Sequence, residues 1–278
     1  MKRARHGPRF SDAYLVLMTA LTYLPILIVM LYSFNESKIS SVWSGWSLKW
    51  YAELFKDRSI GVGIRNSLVL GSLSSLAAAV IGTLGAIGTM RTAFRGKGLM
   101  EYLATLPMMT PEIILGMVFL AFFSLLGLPF GMLTLVIAHT AFCIPYVFMQ
   151  VKARLVGMDK SLEEAARDLG ANRTRVFFDI TLPLILPAIV SGMLLSFAMS
   201  LDDVIISVFV TGVKVNTLPI LIYTQLKTGV TPKINALCSL MFLVTLILVI
   251  LSAVIGRLGD RKKRPTKKEP IKQEEPQL

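Results

Sequence analysis

The hydrophobic positions of this chain form long, unbroken runs rather than the short-period patterns of soluble strands and amphipathic helices. Each run reaches the roughly 20 apolar residues that a helix needs to cross a bilayer. Such runs predict an all-α integral membrane fold. Six membrane-spanning helices are predicted, at about residues 13–34, 66–90, 102–126, 132–151, 183–211 and 234–256.

Two boundaries of these runs rest on local signals. The first run follows a basic segment, as in a signal peptide, but it is uncharged for 22 residues and no small-x-small cleavage site follows. It therefore predicts a retained anchor. Residues 113–151 carry no Asp, Glu, Lys or Arg, which is too long a stretch for one span. The glycines and proline within 127–131 predict the turn that divides it.

The composition agrees with a membrane protein. Hydrophobic residues make up 54% of the chain and charged residues 17%, whereas soluble domains average about 25% charged residues. An ordinary soluble enzyme and a disordered regulator are thereby excluded. The two cysteines, Cys143 and Cys238, lie within apolar runs, so a disulfide scaffold is excluded as well.

The net charge of +12 is concentrated at the chain ends and in alternate loops. With six spans, 21 of the 29 Lys and Arg residues fall on the side of the two termini. The positive-inside rule then predicts a multi-pass protein of the cell (inner or plasma) membrane with both termini in the cytoplasm. This distribution favours contact with membrane lipids and argues against nucleic-acid binding.

The topology predicts three segments along the chain. They are a cytoplasmic basic N-terminus at 1–12, a six-span domain at 13–256 and a basic cytoplasmic tail at 257–278. The tail is poor in apolar residues and is predicted to be disordered. Contact with anionic lipids and a simple stop-transfer flank both remain open for it.

Two features inside the spans predict packing rather than chemistry. The second span contains Gly71, Gly82, Gly85 and Gly88. Small residues let membrane helices approach closely, so this span is predicted to be central in the bundle. His139 stands alone in span four and is predicted to be a hydrogen-bonded packing residue rather than a ligand.

The loop at 152–182, between spans four and five, is long, highly charged and helical in pattern. Ser161 followed by Glu164 predicts a capping box at the start of a short helix. Gly170 is predicted to end that helix as its C′ residue, and Pro183 to open span five. Two adjacent alanines leave room for another protein to pack closely. On these grounds the helix either transmits force to a partner or merely caps the bundle.

The same loop resembles the EAA signature of the permeases of ABC importers. The match comprises Glu164-Ala165-Ala166, then Gly170 after three residues, Ile180 after nine more, and Leu182-Pro183. The resemblance implies that this loop is the coupling helix, which docks in a groove of an ATP-hydrolysing subunit. The residues expected to couple the chain to that ATPase are Ser161, Glu164, Ala165, Ala166, Gly170, Ile180, Leu182 and Pro183.

The chain lacks the motifs of an ATPase or another enzyme. It contains no GxxxxGK[ST] phosphate loop, no HExxH or His/Cys cluster for a metal, and no nucleophile elbow. We therefore expect no catalytic site, no metal site and no cofactor in this chain. The family resemblance implies that a partner ATPase binds ATP and Mg. It also implies a dimer of such ATP-binding subunits, a second, PotB-like permease and an extracytoplasmic substrate-binding protein, with this chain forming half of the pathway.

Two further stretches point to a substrate class. Residues 200–212 (SLDDVIISVFVTG) and 31–35 (LYSFN) resemble the spermidine/putrescine permeases of the PotC type, which implies the import of polyamines. One alternative is an ABC permease for a metal cation, phosphonate or sulfate. Another is an ion-coupled secondary transporter or a membrane-embedded enzyme. Acids within the spans argue against anions, and no convincing internal repeat supports a secondary transporter.

Three acids lie inside predicted spans: Glu112, ten residues into span three, and Asp202 and Asp203, late in span five. An acid at mid-membrane costs about 2.5–3.5 kcal/mol on insertion scales, so each is a candidate functional residue. They are predicted to bind the ammonium groups of a polyamine along a path that is lined by aromatic side chains. Neighbouring helix positions point about 100° apart, so both aspartates face one pore only if the helix breaks. One of them could instead pair with a basic group or cap a broken helix. The aromatic candidates are Tyr146, Phe197 and Tyr223.

Overall fold

The computed structural model of the protein describes residues 10–38, 42–159, 161–213 and 215–261. These residues are mainly helical and contain no β-strand beyond an isolated bridge between Asn35 and Trp46. The α-helices are α1 Phe10–Tyr32, α2 Lys49–Lys56, α3 Arg58–Arg91, α4 Lys97–Met109, α5 Glu112–Leu125, α6 Met132–Val156, α7 Ser161–Asp168, α8 Arg173–Val176, α9 Leu182–Asp202, α10 Ile205–Val210, α11 Leu218–Thr228 and α12 Pro232–Arg261. A π-helical turn, Phe177–Thr181, joins α8 to α9.

Five segments of the described chain are long and apolar enough to cross a membrane. They are Asp12–Tyr32, Arg58–Arg91, Met132–Val156, Arg173–Asp202 and Pro232–Arg257. Helices α4 and α5 give a sixth candidate when they are taken together across the break between them. The predicted helical membrane architecture is thus confirmed. Most of the basic N-terminus predicted at 1–12 and most of the tail at 257–278 lie outside the described residues.

The prediction that span three is one continuous helix is wrong. Helix α4 ends at Met109 and α5 begins at Glu112, with Pro111 between them at φ −54° and ψ 131°. Proline has no N–H to donate, and it disfavours a helical conformation in the residue before it, here Thr110. Glu112 is therefore the first residue of a new helix. Its place ten residues into span three therefore does not set its depth in the membrane, because that span is not one continuous helix.

The predicted fifth span is also interrupted. Helix α9 ends at Asp202 and α10 begins at Ile205. The side chain of Asp203 accepts the backbone N–H groups of Ile206 at 3.2 Å and Ser207 at 2.9 Å. A side chain that satisfies the first free N–H groups of a helix fixes where the helix starts. Asp203 therefore caps α10, which is one of the roles expected for an acid at this place.

The chain clusters into two compact units, each assembled from several separate segments. The first unit contains the described chain up to Ser74, Thr110–His139 and Ala198–Ile247. The second unit contains Ser75–Met109, Thr140–Phe197 and the described chain from Leu248 onward. The acids predicted within spans fall in the first unit, and the loop at 152–182 falls in the second.

The first unit has an apolar core and a close contact between α5 and α10. Helix α5 packs on α10, and a Cβ atom built on Gly116 would lie 2.5 Å from the ring of Phe209. The absence of a side chain at position 116 therefore lets α10 lie directly on α5. The core cluster joins α2, α3, α11 and α12 through Trp50, Leu54, Ile60, Leu218, Ala236 and Leu237.

The second unit brings α3 and α6 close together at a glycine. A Cβ atom built on Gly82 would lie 3.0 Å from Cβ of Val147, so the two backbones approach as expected for small residues in membrane helices. A Cβ atom on Gly85 would be in ordinary contact with Phe148, and one on Gly88 would meet nothing within 4 Å. The predicted packing role of the glycines therefore holds most strongly for Gly82.

Candidate functional site

The helix α7 begins within the predicted loop, but its start is not the predicted capping box. The backbone N–H of Ser161 donates to Oδ1 of Asp159 at 3.0 Å, where a capping box would direct it to Glu164. Asp159 lies two residues earlier and reaches this N–H in a tight local turn, which is a common competing geometry. Hydrogen bonds from the backbone and side chain of Ser161 hold the pKa of Asp159 below its usual value.

The end of α7 agrees with the prediction in detail. Gly170 adopts φ +86°, its N–H donates to the carbonyl of Arg167 at 2.8 Å, and the N–H of Ala171 donates to the carbonyl of Ala166 at 3.0 Å. These two bonds form a Schellman motif, in which a left-handed C′ residue reverses the chain. A Cβ atom at Gly170 would meet nothing within 4 Å, so backbone conformation alone favours glycine here.

The other residues expected to couple the chain to an ATPase lie on or beside this helix. Glu164 and Ala165 are exposed on α7, Ala166 is half-buried, Leu182 begins α9, and Pro183 is in the first turn of α9. The side chain of Leu169 is 90% exposed. A surface concavity of about 270 Å³ opens behind it, lined by Ala166, Leu169, Gly170, Ala171, Arg175, Val176, Asp179 and Ile180. This surface therefore presents the exposed apolar side chain of Leu169 next to the concavity.

The first unit contains a buried polar network centred on His139. Its Nδ1 lies 2.8 Å from Oγ of Ser200, and its Nε2 lies 2.9 Å from Oγ of Ser207. The same Nε2 lies 3.3 Å from Oδ2 of Asp203, whose side chain is 1% exposed. Oγ of Ser74 extends the network to α3 through a 3.3 Å contact with Ser200. The histidine predicted to be a packing residue thus organises the polar groups of four helices.

The two neighbouring aspartates have different environments. Besides the two N–H groups that it caps, Asp203 accepts the hydroxyl of Ser207 at 2.9 Å and faces the ring of His139. Its oxygen atoms are therefore satisfied within the protein. Asp202, the last residue of α9, is exposed, and Glu112 is half-buried at the start of α5. All three predicted acids lie in the first unit, where the helix that Glu112 begins packs on the helix that Asp203 caps.

The predicted aromatic residues are distributed over both units. Tyr146 is half-buried, and its ring meets the ring of Phe142 edge to face at 5.7 Å. Phe197 is half-buried and is the last residue of the second unit's segment Thr140–Phe197. In the first unit Tyr223 is exposed, and Nζ of Lys227 lies 4.4 Å from its ring centroid. The face of Tyr223 therefore already contacts an ammonium group of the chain.

Sequence reasoning missed the serines at 200 and 207 as partners of His139. Their spacing in sequence shows only that both lie near the end of span five, and no local pattern points to a partner in span four. Among the residues that the structure describes, no group of three or more His, Cys, Asp or Glu side chains could hold a metal ion. The polar network around His139 consists of hydrogen bonds and the contact between His139 and Asp203.

Comparison with known proteins gives the family. Residues 78–264 match the family model described as "Binding-protein-dependent transport system inner membrane component". The spermidine/putrescine transport system permease protein PotC of Haemophilus influenzae is 40% identical over 249 residues, covering 90% of this chain and 97% of the relative. The putrescine transport system permease protein PotI of Escherichia coli is 44% identical over 225 residues, covering 78% and 80%.

Solved structures show the same fold. A bacterial ABC transporter that imports the acidic polysaccharide alginate matches with a TM-score of 0.63 at 15% identity, covering 89% of this chain and 94% of the other. The MetNI methionine ABC transporter matches with a TM-score of 0.58 at 19% identity, covering 73% and 95%. The family resemblance drawn from the EAA signature is thus confirmed. The chain belongs to the family described as binding-protein-dependent transport system inner membrane components.

Proposed function

We propose that this chain is the permease subunit of an ATP-driven importer of polyamines and forms half of the translocation pathway. The observation that carries the proposal is the polyamine specificity named for relatives that are about 40% identical over most of the chain. The acidic neighbourhood of the first unit adds chemistry that suits a substrate made of ammonium groups separated by methylenes. Putrescine and spermidine are both candidates.

In this proposal Glu112 and Asp202 contact the substrate, and Asp203 does not. Exposure decides the assignment, since Asp202 is exposed and Glu112 is half-buried. The carboxylate of Asp203 already accepts hydrogen bonds from the α10 backbone and from Ser207. Its side chain is only 1% exposed, so an ammonium group has no open approach to it. Tyr146, Phe197 and Tyr223 remain candidates for the walls of the path.

Coupling to ATP hydrolysis is proposed to occur through α7 and the concavity behind Leu169. A helix that exposes Glu164 and Ala165 and is followed directly by the exposed Leu169 suits docking in a groove of an ATP-hydrolysing partner. ATP and Mg would be bound by that partner, so this chain itself performs no catalysis. With α7 on the cytoplasmic side, both termini would be cytoplasmic, in agreement with the distribution of Lys and Arg. A second, PotB-like permease, an ATPase dimer and an extracytoplasmic binding protein would complete the transporter.

The test is transport by the complete transporter reconstituted in vesicles, with labelled putrescine and spermidine. We expect the double variant Glu112→Gln/Asp202→Asn to lose most of its uptake while the complex still assembles. Glu53→Gln, which neutralises an acid of α2 outside the predicted spans, is the matched control and should transport normally. Uptake by the double variant at the wild-type rate would refute the assignment of these acids. A wild-type transporter that imports another solute but neither polyamine would refute the substrate class.

A further inference from the structure

Three side chains of the second unit form a closed polar triangle beside α7. Nη2 of Arg91 donates to Oγ1 of Thr181 at 2.7 Å, and Oγ1 of Thr181 donates to Oε1 of Glu163 at 2.8 Å. The same Nη2 of Arg91 also donates to Oε1 of Glu163. Each member therefore bonds to both of the others, although they lie up to 90 positions apart in sequence.

The triangle joins three different elements. Arg91 is the last residue of α3, Glu163 lies in the first turn of α7, and Thr181 ends the π-helical turn that leads into α9. The side chain of Thr181 is fully buried, so the triangle is anchored at one corner. The guanidinium carbon of Arg91 also lies 6.0 Å from the ring centroid of Phe177, in the same π-helical turn. A π-helical turn within a helical segment often marks a functional position.

Apolar packing does not hold α7 in place. None of the residues of α7 is buried, and a crevice of about 260 Å³ beside it is lined in part by Glu163, Glu164 and Arg167. All residues of α7 lie in the described part of the chain, and only Glu163 and Ala166 among them are half-buried. Glu163 is thus the main polar contact through which a displacement of α7 could reach α3 and α9. Charged hydrogen bonds of this kind resist displacement more strongly than neutral ones.

We propose that Arg91, Glu163 and Thr181 are positioning residues that transmit the movement of α7 to α3 and α9 during the transport cycle. Glu163 directly precedes the signature residue Glu164. Its side chain bonds to Arg91 at the end of α3, whereas the side chain of Glu164 is exposed. The inference rests on the proposed coupling role of α7. It assigns the two adjacent glutamates different tasks, with Glu164 available to the ATPase and Glu163 committed to the chain's own helices.

The experiment uses the complete transporter reconstituted in vesicles with its ATPase subunits and binding protein. The readouts are ATP hydrolysis stimulated by the loaded binding protein and the amount of assembled complex. We expect Glu163→Gln, Arg91→Gln and Thr181→Val each to lower the stimulation about fivefold or more, with assembly unchanged. Arg95→Gln, which removes an exposed positive charge four residues after Arg91, is the matched control and should keep normal stimulation.

Exchange of the charges distinguishes transmission from a general loss of structure. The hydroxyl of Thr181 can both donate and accept, so the double variant Arg91→Glu/Glu163→Arg can rebuild the triangle with its charges reversed. It should recover stimulation that each single reversal loses. Failure of the exchange together with normal stimulation in Glu163→Gln would overturn the inference. If Gly170→Val also kept normal stimulation, the proposed coupling role of α7 would fail; if only Gly170→Val lost it, α7 would couple without the triangle.

Discussion

His139 Nε2 and Asp203 Oδ2 lie 3.3 Å apart, and both side chains are shielded from solvent. This pairing separates the roles of two neighbouring acids that sequence alone treats alike. Asp203 is held by the histidine and by the N-terminus of α10, while Asp202 ends α9 and is exposed. The break between these two helices therefore gives Asp203 a structural role and leaves Asp202 exposed at the end of α9.

Replacement of the two aspartates should have opposite consequences. Asp203→Ala removes the cap of α10 and leaves His139 without its carboxylate partner, so we expect a loss of about 1–3 kcal/mol in stability. Asp202→Ala should leave the stability unchanged and lower polyamine uptake. Thermal unfolding of the purified complex in detergent, measured alongside uptake in vesicles, checks both. Equal unfolding temperatures for the two variants would contradict the structural role of Asp203.

Substitutions at Gly170 should follow backbone conformation rather than size. The residue adopts φ +86° with open space around it, so Gly170→Val should be strained by about 1–2 kcal/mol, and Gly170→Asn much less. We expect ATPase stimulation to fall strongly in the valine variant and only slightly in the asparagine variant. The amount of protein inserted in the membrane is the control, and it should be similar for both. A loss that is equal in the two variants would argue for a steric role instead.

Two glycines of α3 should differ in their tolerance of alanine. At Gly82 the new Cβ atom would lie 3.0 Å from Val147 and 3.1 Å from the carbonyl oxygen of Ile144, so the helices would have to separate slightly. We expect Gly82→Ala to destabilise the protein by about 1 kcal/mol or more. Gly88→Ala meets open space and should be neutral or stabilising by up to about 1 kcal/mol. Unfolding temperatures of the two variants measure the difference, and a reversed order would contradict the α3–α6 packing.

The ion pair of Asp57 and Lys233 should make stability depend on pH. The hydrogen bond from Nζ of Lys233, 2.6 Å long, followed by that from Ser59, lowers the pKa of Asp57 well below its usual value. A carboxyl group whose pKa is lower in the folded state stabilises the protein above its unfolded pKa, and this contribution declines as the pH falls towards the folded value. Asp57→Asn should therefore cost up to about 1 kcal/mol at neutral pH.

The difference between Asp57→Asn and the unaltered protein should be constant from about pH 7 to pH 5 and shrink below about pH 4. Thermal unfolding in buffers across this range gives the measurement. Lys56→Gln, which removes an exposed charge next to Asp57, is the control and should shift unfolding little at any pH. A difference that grows as the pH falls would show that the pair does not stabilise the folded state in the way described.

The helical membrane fold and the end of α7 could be predicted because their signals are local. Long apolar runs predict spans, and glycine at the end of a short charged helix predicts a left-handed C′ residue, as Gly170 shows. The break at Pro111 carried a local signal too, but an ambiguous one. Four other prolines lie inside continuous helices: Pro25, Pro107, Pro145 and Pro187.

The contacts between distant positions could not be predicted from the sequence. His139 and Ser207 are 68 positions apart, and Arg91 and Glu163 are 72 apart. Nothing in either local pattern indicates which polar side chain will lie opposite. The capping box at Ser161 failed for a related reason, because Asp159 offers a competing acceptor at equally short range. Local pattern predicts the elements, and tertiary packing decides which polar groups of those elements meet.

The most direct test of the central claim is uptake of labelled putrescine and spermidine by cells that lack this chain and any other polyamine transporter. The remaining transporter components are present in these cells. The intact chain should restore uptake, an ATPase-inactive partner should abolish it, and Asp202→Asn should reduce it. Cells that take up both polyamines equally well with and without the chain would contradict the account.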